Sequence, residues 1–76
     1  MSVSNRPAVV REYTRRLNLA LDYVRDHLDG ELTVESVSRA ALFSPFHFHR
    51  LFGAMTGETL YNHIRRVRLE KAANLL

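Results

Sequence analysis

Ser44-Pro45-Phe46-His47-Phe48-His49-Arg50-Leu51-Phe52-Gly53-Ala54-Met55, followed by Thr56-Gly57, is the stretch on which the reading of this chain turns. Ser44 is suited to cap a helix, because its hydroxyl oxygen can accept from an amide of the first turn that has no partner within the helix. Pro45 fits the first helical position, where its missing N–H costs nothing and its φ is already set. Gly57 is the expected left-handed terminator. Winding the segment at about 100° per residue gathers Phe48, Leu51, Phe52 and Met55 on one side, as a core face. Phe46, His49, Arg50 and Gly53 fall on the other. An aromatic ring, an imidazole and a guanidinium around a glycine are an unusual display for a merely solvated surface. That face suits insertion into another surface, with the glycine allowing close approach.

Upstream, Leu32-Thr33-Val34-Glu35-Ser36-Val37 opens a short helix expected over residues 34–41. Thr33 is its N-cap, and Glu35 lies near the positive end of the helix dipole. Leu32 and Val37 have the spacing of a hydrophobic staple. Val37, Ala40 and Ala41 give a narrow core face. The helix must stop before Leu42-Phe43-Ser44-Pro45, since the residue preceding a proline avoids helical geometry. A short helix, a tight turn and a second helix with a divided surface form a helix-turn-helix.

A longer helix precedes this pair, expected over residues 9–28 after a flexible N-terminus of residues 1–8. Tyr13, Leu17, Ala20, Leu21, Val24 and Leu28 recur at three- and four-residue intervals, and Asp29-Gly30 is the expected stop. On its polar side Glu12 can pair with Arg16, and Asp22 with Arg25. A fourth helix is expected over residues 59–75, with Leu60, Ile64, Val67, Ala72, Leu75 and Leu76 as its apolar stripe. Arg65, Arg66 and Lys71 lie off that stripe, able to reach a phosphate backbone. The stripe is still apolar at the last residue, which leads us to expect further protein beyond it. The fold class is therefore all-α: one small four-helix domain, residues 9–76, with a central helix-turn-helix.

The chain has 76 residues, no cysteine, three glycines and two prolines. Such a chain can build one core of marginal stability. Disulfides and thiolate metal sites are excluded, and a reducing, cytoplasmic setting is expected. No signal peptide opens the sequence, and no apolar run approaches the roughly 20 residues of a membrane span. The net charge of +3 is unevenly placed. Acidic and basic residues balance over residues 1–43, so the whole excess lies in residues 44–76, where Arg50, Arg65, Arg66, Arg68 and Lys71 face only Glu58 and Glu70. Basic charge so placed attracts phosphate backbones or acidic surfaces.

Taken together, Leu32-Thr33-Val34-Glu35, the run from Ser44 to Phe52, Thr56-Gly57, Ile64-Arg65-Arg66-Val67-Arg68-Leu69-Glu70-Lys71-Ala72 and Leu75-Leu76 resemble the AraC/XylS family of bacterial transcription regulators. The resemblance covers about residues 17–76. It implies the first of two helix-turn-helix units plus the linker helix that joins them. It implies double-stranded DNA as partner, with Phe46, His49 and Arg50 facing the bases. Arg50 could chelate a guanine, His49 donate to a purine N7 and Phe46 pack on a thymine methyl. Thr33 and Ser44 at the helix starts, Arg65 and Arg66 on the linker, and Arg39 become phosphate candidates. RNA polymerase and an effector, the latter through a domain beyond these residues, are further partners the resemblance implies. No cofactor is implied. Three positions depart from the family pattern. Leu42 stands where glycine is usual, so the turn must use other dihedrals or carry strain. Ser38 replaces alanine, so its hydroxyl needs a backbone acceptor. His63 replaces an aromatic.

Other classes are less well supplied. His47 and His49 are about 200° apart around a helix and cannot chelate one ion. There is no cysteine, no paired acid constellation and no glycine-rich phosphate loop to suggest an enzyme. Phe46 could instead be core beside Phe43, Phe48 and Phe52, and the arginines of the last helix could be solvated surface. The rival from another class is a protein-interaction module that docks its Phe46/His49/Arg50 face on an acidic partner. A basic amphipathic helix on a membrane is disfavoured by the buried stripe of a compact bundle.

Overall fold

A computed structural model describes residues 6–74, and no strand occurs among them. Four helices follow in order: α1 (Arg6–Asp26), α2 (Val34–Ala40), α3 (Pro45–Thr56) and α4 (Leu60–Asn74). α1 packs on α2, α2 on α3 and α3 on α4, so the short α2–α3 pair sits between the two long helices.

α1 begins at Arg6 rather than near residue 9, because Pro7 is well suited to a first turn that needs no amide. Residues 1–5 of the N-terminal segment expected to be flexible lie outside the described residues. The helix also stops at Asp26, short of the expected Asp29-Gly30 end. The His27 amide is shared between the Tyr23 and Val24 carbonyls at 3.1 and 3.2 Å, tightening the last turn, and Gly30 then bonds back to the His27 carbonyl. From α1, Leu17, Ala20 and Val24 enter the core, joined by Leu28 from the turn that follows, with Tyr13 and Leu21 packed at its edge.

α2 starts where Thr33 caps it. Thr33 Oγ1 accepts from the Ser36 amide, and Ser36 Oγ accepts from the Thr33 amide, a reciprocal capping box. Val37 and Ala41 are fully buried, whereas Ala40, expected in the core, is only half-buried. The Ser38 hydroxyl is buried and donates to the Glu35 carbonyl at 3.1 Å, which supplies the acceptor it needs.

In α3, Phe48 and Phe52 are fully buried and Leu51 packs against the core. Met55, assigned to the same face, is instead 40% exposed, because it lies at the end of the helix beyond the reach of its neighbours. Gly57 terminates α3 at φ 80°, and its amide bonds to the Gly53 carbonyl. Burying each of the two phenylalanines contributes roughly 1.5–3 kcal/mol, a large fraction of what a domain this small can have.

α4 contributes Leu60 and Ile64 to the core, and Val67 packs against it. Ala72 is exposed, since the stripe leaves the bundle before reaching it. Leu75 and Leu76 lie outside the described residues.

Candidate nucleic-acid interface

The turn between α2 and α3 fixes how α3 is presented. Leu42 sits at φ 65°, the left-handed region that glycine adopts freely and a leucine does not. Of the two possibilities left open by the sequence, the chain keeps the dihedral and carries the strain. Two features hold it there. The Leu42 amide bonds to the Arg39 carbonyl and the Phe43 amide to the Ser38 carbonyl. From α1, Arg16 donates to the Leu42 carbonyl at 3.2 Å while its guanidinium lies 5.0 Å from the centre of the Phe43 ring. Arg16 is itself held by Glu12 at 2.8 Å, and Glu12 also takes a 2.7 Å bond from Arg15. The hydrogen bonds from Arg15 and then Arg16 bring the Glu12 carboxyl down to a pKa of about 2. The Glu12–Arg16 spacing is legible from sequence. The reach of Arg16 to the turn is not, since nothing local announces it.

With Ser44 capping α3 through a bond from the His47 amide at 3.3 Å, the helix faces divide cleanly. Phe46 is 73% exposed, and His49 and Arg50 are exposed beside it. Phe46 is therefore not core. The space beside Gly53 is open, with nothing within 4 Å of where a Cβ would stand. The Arg50 guanidinium lies 5.8 Å from the centre of the Phe46 ring. α3 carries no acidic residue, and Arg50 makes no ion pair among the described residues. His47 points elsewhere, its ring edge-on to Phe43 at 5.0 Å and Tyr13 at 5.9 Å. Among the described residues no group of three His, Cys, Asp or Glu is placed to hold a metal ion.

The phosphate candidates divide. Thr33 and Ser44 are exposed, and each oxygen accepts a cap bond. The Ser44 hydroxyl proton makes no bond among the described residues. Arg39, in the last turn of α2, and Arg65, on α4, are exposed and form no ion pair among the described residues. Arg66 differs. It donates to Glu58 at 2.7 Å and to Glu70 at 3.3 Å. Those bonds push the Glu58 carboxyl below its ordinary range, the Arg66 bond being the largest cause and His63 adding to it, and raise the arginine further. His63, standing where an aromatic was expected, packs edge-on against Phe52 at 5.6 Å, with Nδ1 3.2 Å from Glu58.

Two basic residues have roles that no local pattern announces. Arg68 donates to the carbonyls of Leu28 at 3.0 Å and Gly30 at 2.8 Å, so a side chain of α4 satisfies two carbonyls of the loop that follows α1. Lys71 lies 3.3 Å from Asp29 in the same loop. The partners are about 40 positions away in sequence, so helical spacing gives no hint of either bond.

Known proteins match this sequence. The model of the bacterial regulatory helix-turn-helix proteins, AraC family, matches residues 24–64, just over half of the chain. The multiple antibiotic resistance protein MarA of Escherichia coli is 34% identical over 56 residues, which are 74% of this chain and 44% of MarA. The bifunctional transcriptional activator/DNA repair enzyme AdaA of Bacillus subtilis is 33% identical over 60 residues, 79% of this chain and 28% of AdaA. An uncharacterized HTH-type transcriptional regulator of Bacillus subtilis, YbfP, is 31% identical over 64 residues, 84% of this chain and 22% of YbfP. The chain thus spans less than half the length of each of these relatives. The matched segment runs from Val24, near the end of α1, to Ile64 and encloses the whole α2–turn–α3 unit, and the chain belongs to the AraC family of bacterial regulatory helix-turn-helix proteins.

Proposed function

We propose that this chain is a sequence-specific DNA-binding unit of a transcription regulator, that α3 enters the major groove, and that it is not an enzyme. The observation that carries this is the composition of the outward face of α3. Phe46, His49 and Arg50 stand together, exposed, on a helix that carries no acidic residue and whose other face is anchored by Phe48 and Phe52. A helix so presented matches the width of the major groove, and an arginine there can take both acceptors of a guanine. Arg39 and Arg65, with the Ser44 hydroxyl, would position the unit on phosphates, and Thr33 is a weaker contact of the same kind. No helix among the described residues is long and apolar enough to cross a membrane, which supports a cytoplasmic site of action. Contact with RNA polymerase and response to an effector would belong to a whole regulator of which this unit is one part.

The test is titration of duplexes onto the 76-residue chain at two salt concentrations. Each phosphate neutralised should contribute about −0.9 to the slope of log K against log salt. Arg50→Ala should relax preference at one base pair by about 1–3 kcal/mol. A module that docks on acidic proteins would instead bind every duplex as weakly as any cationic peptide does, and Arg50→Ala would change no base preference.

A further inference from the structure

Phe46 and Arg50 stand one helical turn apart on the same face. Side chains on a helix lean toward its N-terminus, so the long Arg50 side chain leans back over the residue four positions earlier. That residue is an aromatic ring, and the guanidinium lies 5.8 Å from its centre, within the range of cation–π attraction. Nothing else competes for Arg50. α3 has no acid, and among the described residues Arg50 has no ion-pair partner. An arginine that reads a base through two parallel bonds must hold its planar fork in one orientation, and a free arginine has many rotamers to lose. A ring that restricts the fork beforehand lowers that cost.

We infer that Phe46 is a positioning residue for Arg50: its ring holds the guanidinium over the outer face of α3, so that discrimination at the base pair read by Arg50 depends on the aromatic character of residue 46. This rests on the DNA-binding reading above and goes beyond a direct contact of Phe46 with a base. A side chain that only filled space against a thymine methyl could be replaced by leucine at no cost to the neighbouring base pair.

The experiment has two arms on the same 76-residue chain. In the first, duplexes altered one base pair at a time are titrated against wild type, and Arg50→Ala identifies the pair whose preference it abolishes. Phe46→Leu should then lose roughly two- to five-fold of the preference at that same pair, the range expected of an exposed cation–π contact. Phe46→Tyr should keep it. In the Arg50→Ala background, Phe46→Leu should take nothing further from that pair. In the second arm, NMR of the free protein should show the Arg50 Hδ protons shifted upfield by the ring current, and the shift should vanish in Phe46→Leu. Base preference without the upfield shift, or with Phe46→Leu altering only a different pair, overturns the inference and leaves DNA binding intact. A wild-type chain with no base preference overturns the DNA reading and, with it, the role assigned to Phe46, whatever the ring-current shift shows.

Discussion

Leu42 concentrates the cost of the α2–α3 turn in one dihedral. A leucine at φ 65° costs about 1–2 kcal/mol relative to right-handed geometry, and its side chain is 59% exposed, so little packing compensates for it. Leu42→Gly should therefore be neutral to stabilising by up to about 1 kcal/mol, the gain being trimmed by the greater freedom of glycine in the unfolded chain. Leu42→Val should lose at least that much, because a β-branched side chain tolerates positive φ worst. Thermal unfolding of the two variants decides the matter, and a Leu42→Gly protein less stable than wild type would refute the assignment of strain. Gly53 presents the opposite case. It is in the interior of α3 with open space beside it. Gly53→Ala should gain close to 1 kcal/mol of helix stability, equivalent to about 4–8 °C in a domain of this size. If another surface comes close at that point, the same variant should weaken duplex binding. A stabilised variant with wild-type duplex affinity would take Gly53 out of the interface.

The helices show which signals in a sequence are local enough to read. Thr33, Ser44 and Gly57 cap their helices through bonds spanning three or four residues, and caps of that span can be read without knowing the fold. The buried faces of α1 and α3 follow the same logic, as does the division that leaves Phe46, His49 and Arg50 outside. Met55, Ala40 and Ala72 were misplaced because periodicity gives the direction of a side chain but not whether a neighbouring helix extends far enough to cover it. Arg16, Arg68 and Lys71 were unreadable for another reason, since their partners lie 26 to 42 positions away. α4 carries a prediction of this kind. Arg65 and Arg66 are adjacent and equally basic in sequence, yet only Arg66 is already bound to Glu58 and Glu70. Arg66 must surrender those carboxylates before it can serve a phosphate, and Arg65 surrenders nothing. Arg65→Ala should thus reduce the salt slope of duplex binding by about 1, and Arg66→Ala by less. Equal slopes would mean that the Glu58 pair opens freely on binding.

At the scale of the molecule, the ion pairs that fasten separate segments all depend on ionised carboxylates, which makes acid a probe of the whole assembly. Glu12 holds Arg16, and Arg16 holds the Leu42 carbonyl, so α1 supports the turn that aims α3. Glu58 holds Arg66 beside His63, and Asp29 holds Lys71. For Glu12 the folded pKa is lowered from 4.5 to about 2. A carboxyl lowered by folding stabilises the folded chain fully above its unfolded pKa, and that stabilisation is lost as pH falls through the folded one. The contribution of Glu12 should therefore be intact above about pH 4.5 and fade toward pH 2, with Glu58 acting in the same direction. Because the Glu12 pairs are exposed, salt should blunt the effect. Thermal midpoints followed by circular dichroism should fall as the medium is acidified from pH 5 to pH 2. Glu12→Gln should start lower at pH 5 and fall less steeply, since it has no carboxylate there to lose. The same substitution frees Arg16 from its anchor, so it should weaken duplex binding at neutral pH, although residue 12 lies on α1 rather than on α3. Superimposable pH profiles for wild type and Glu12→Gln would show that Glu12 carries no acid-dependent stability. Unchanged duplex affinity would show that the turn holds its angle without α1.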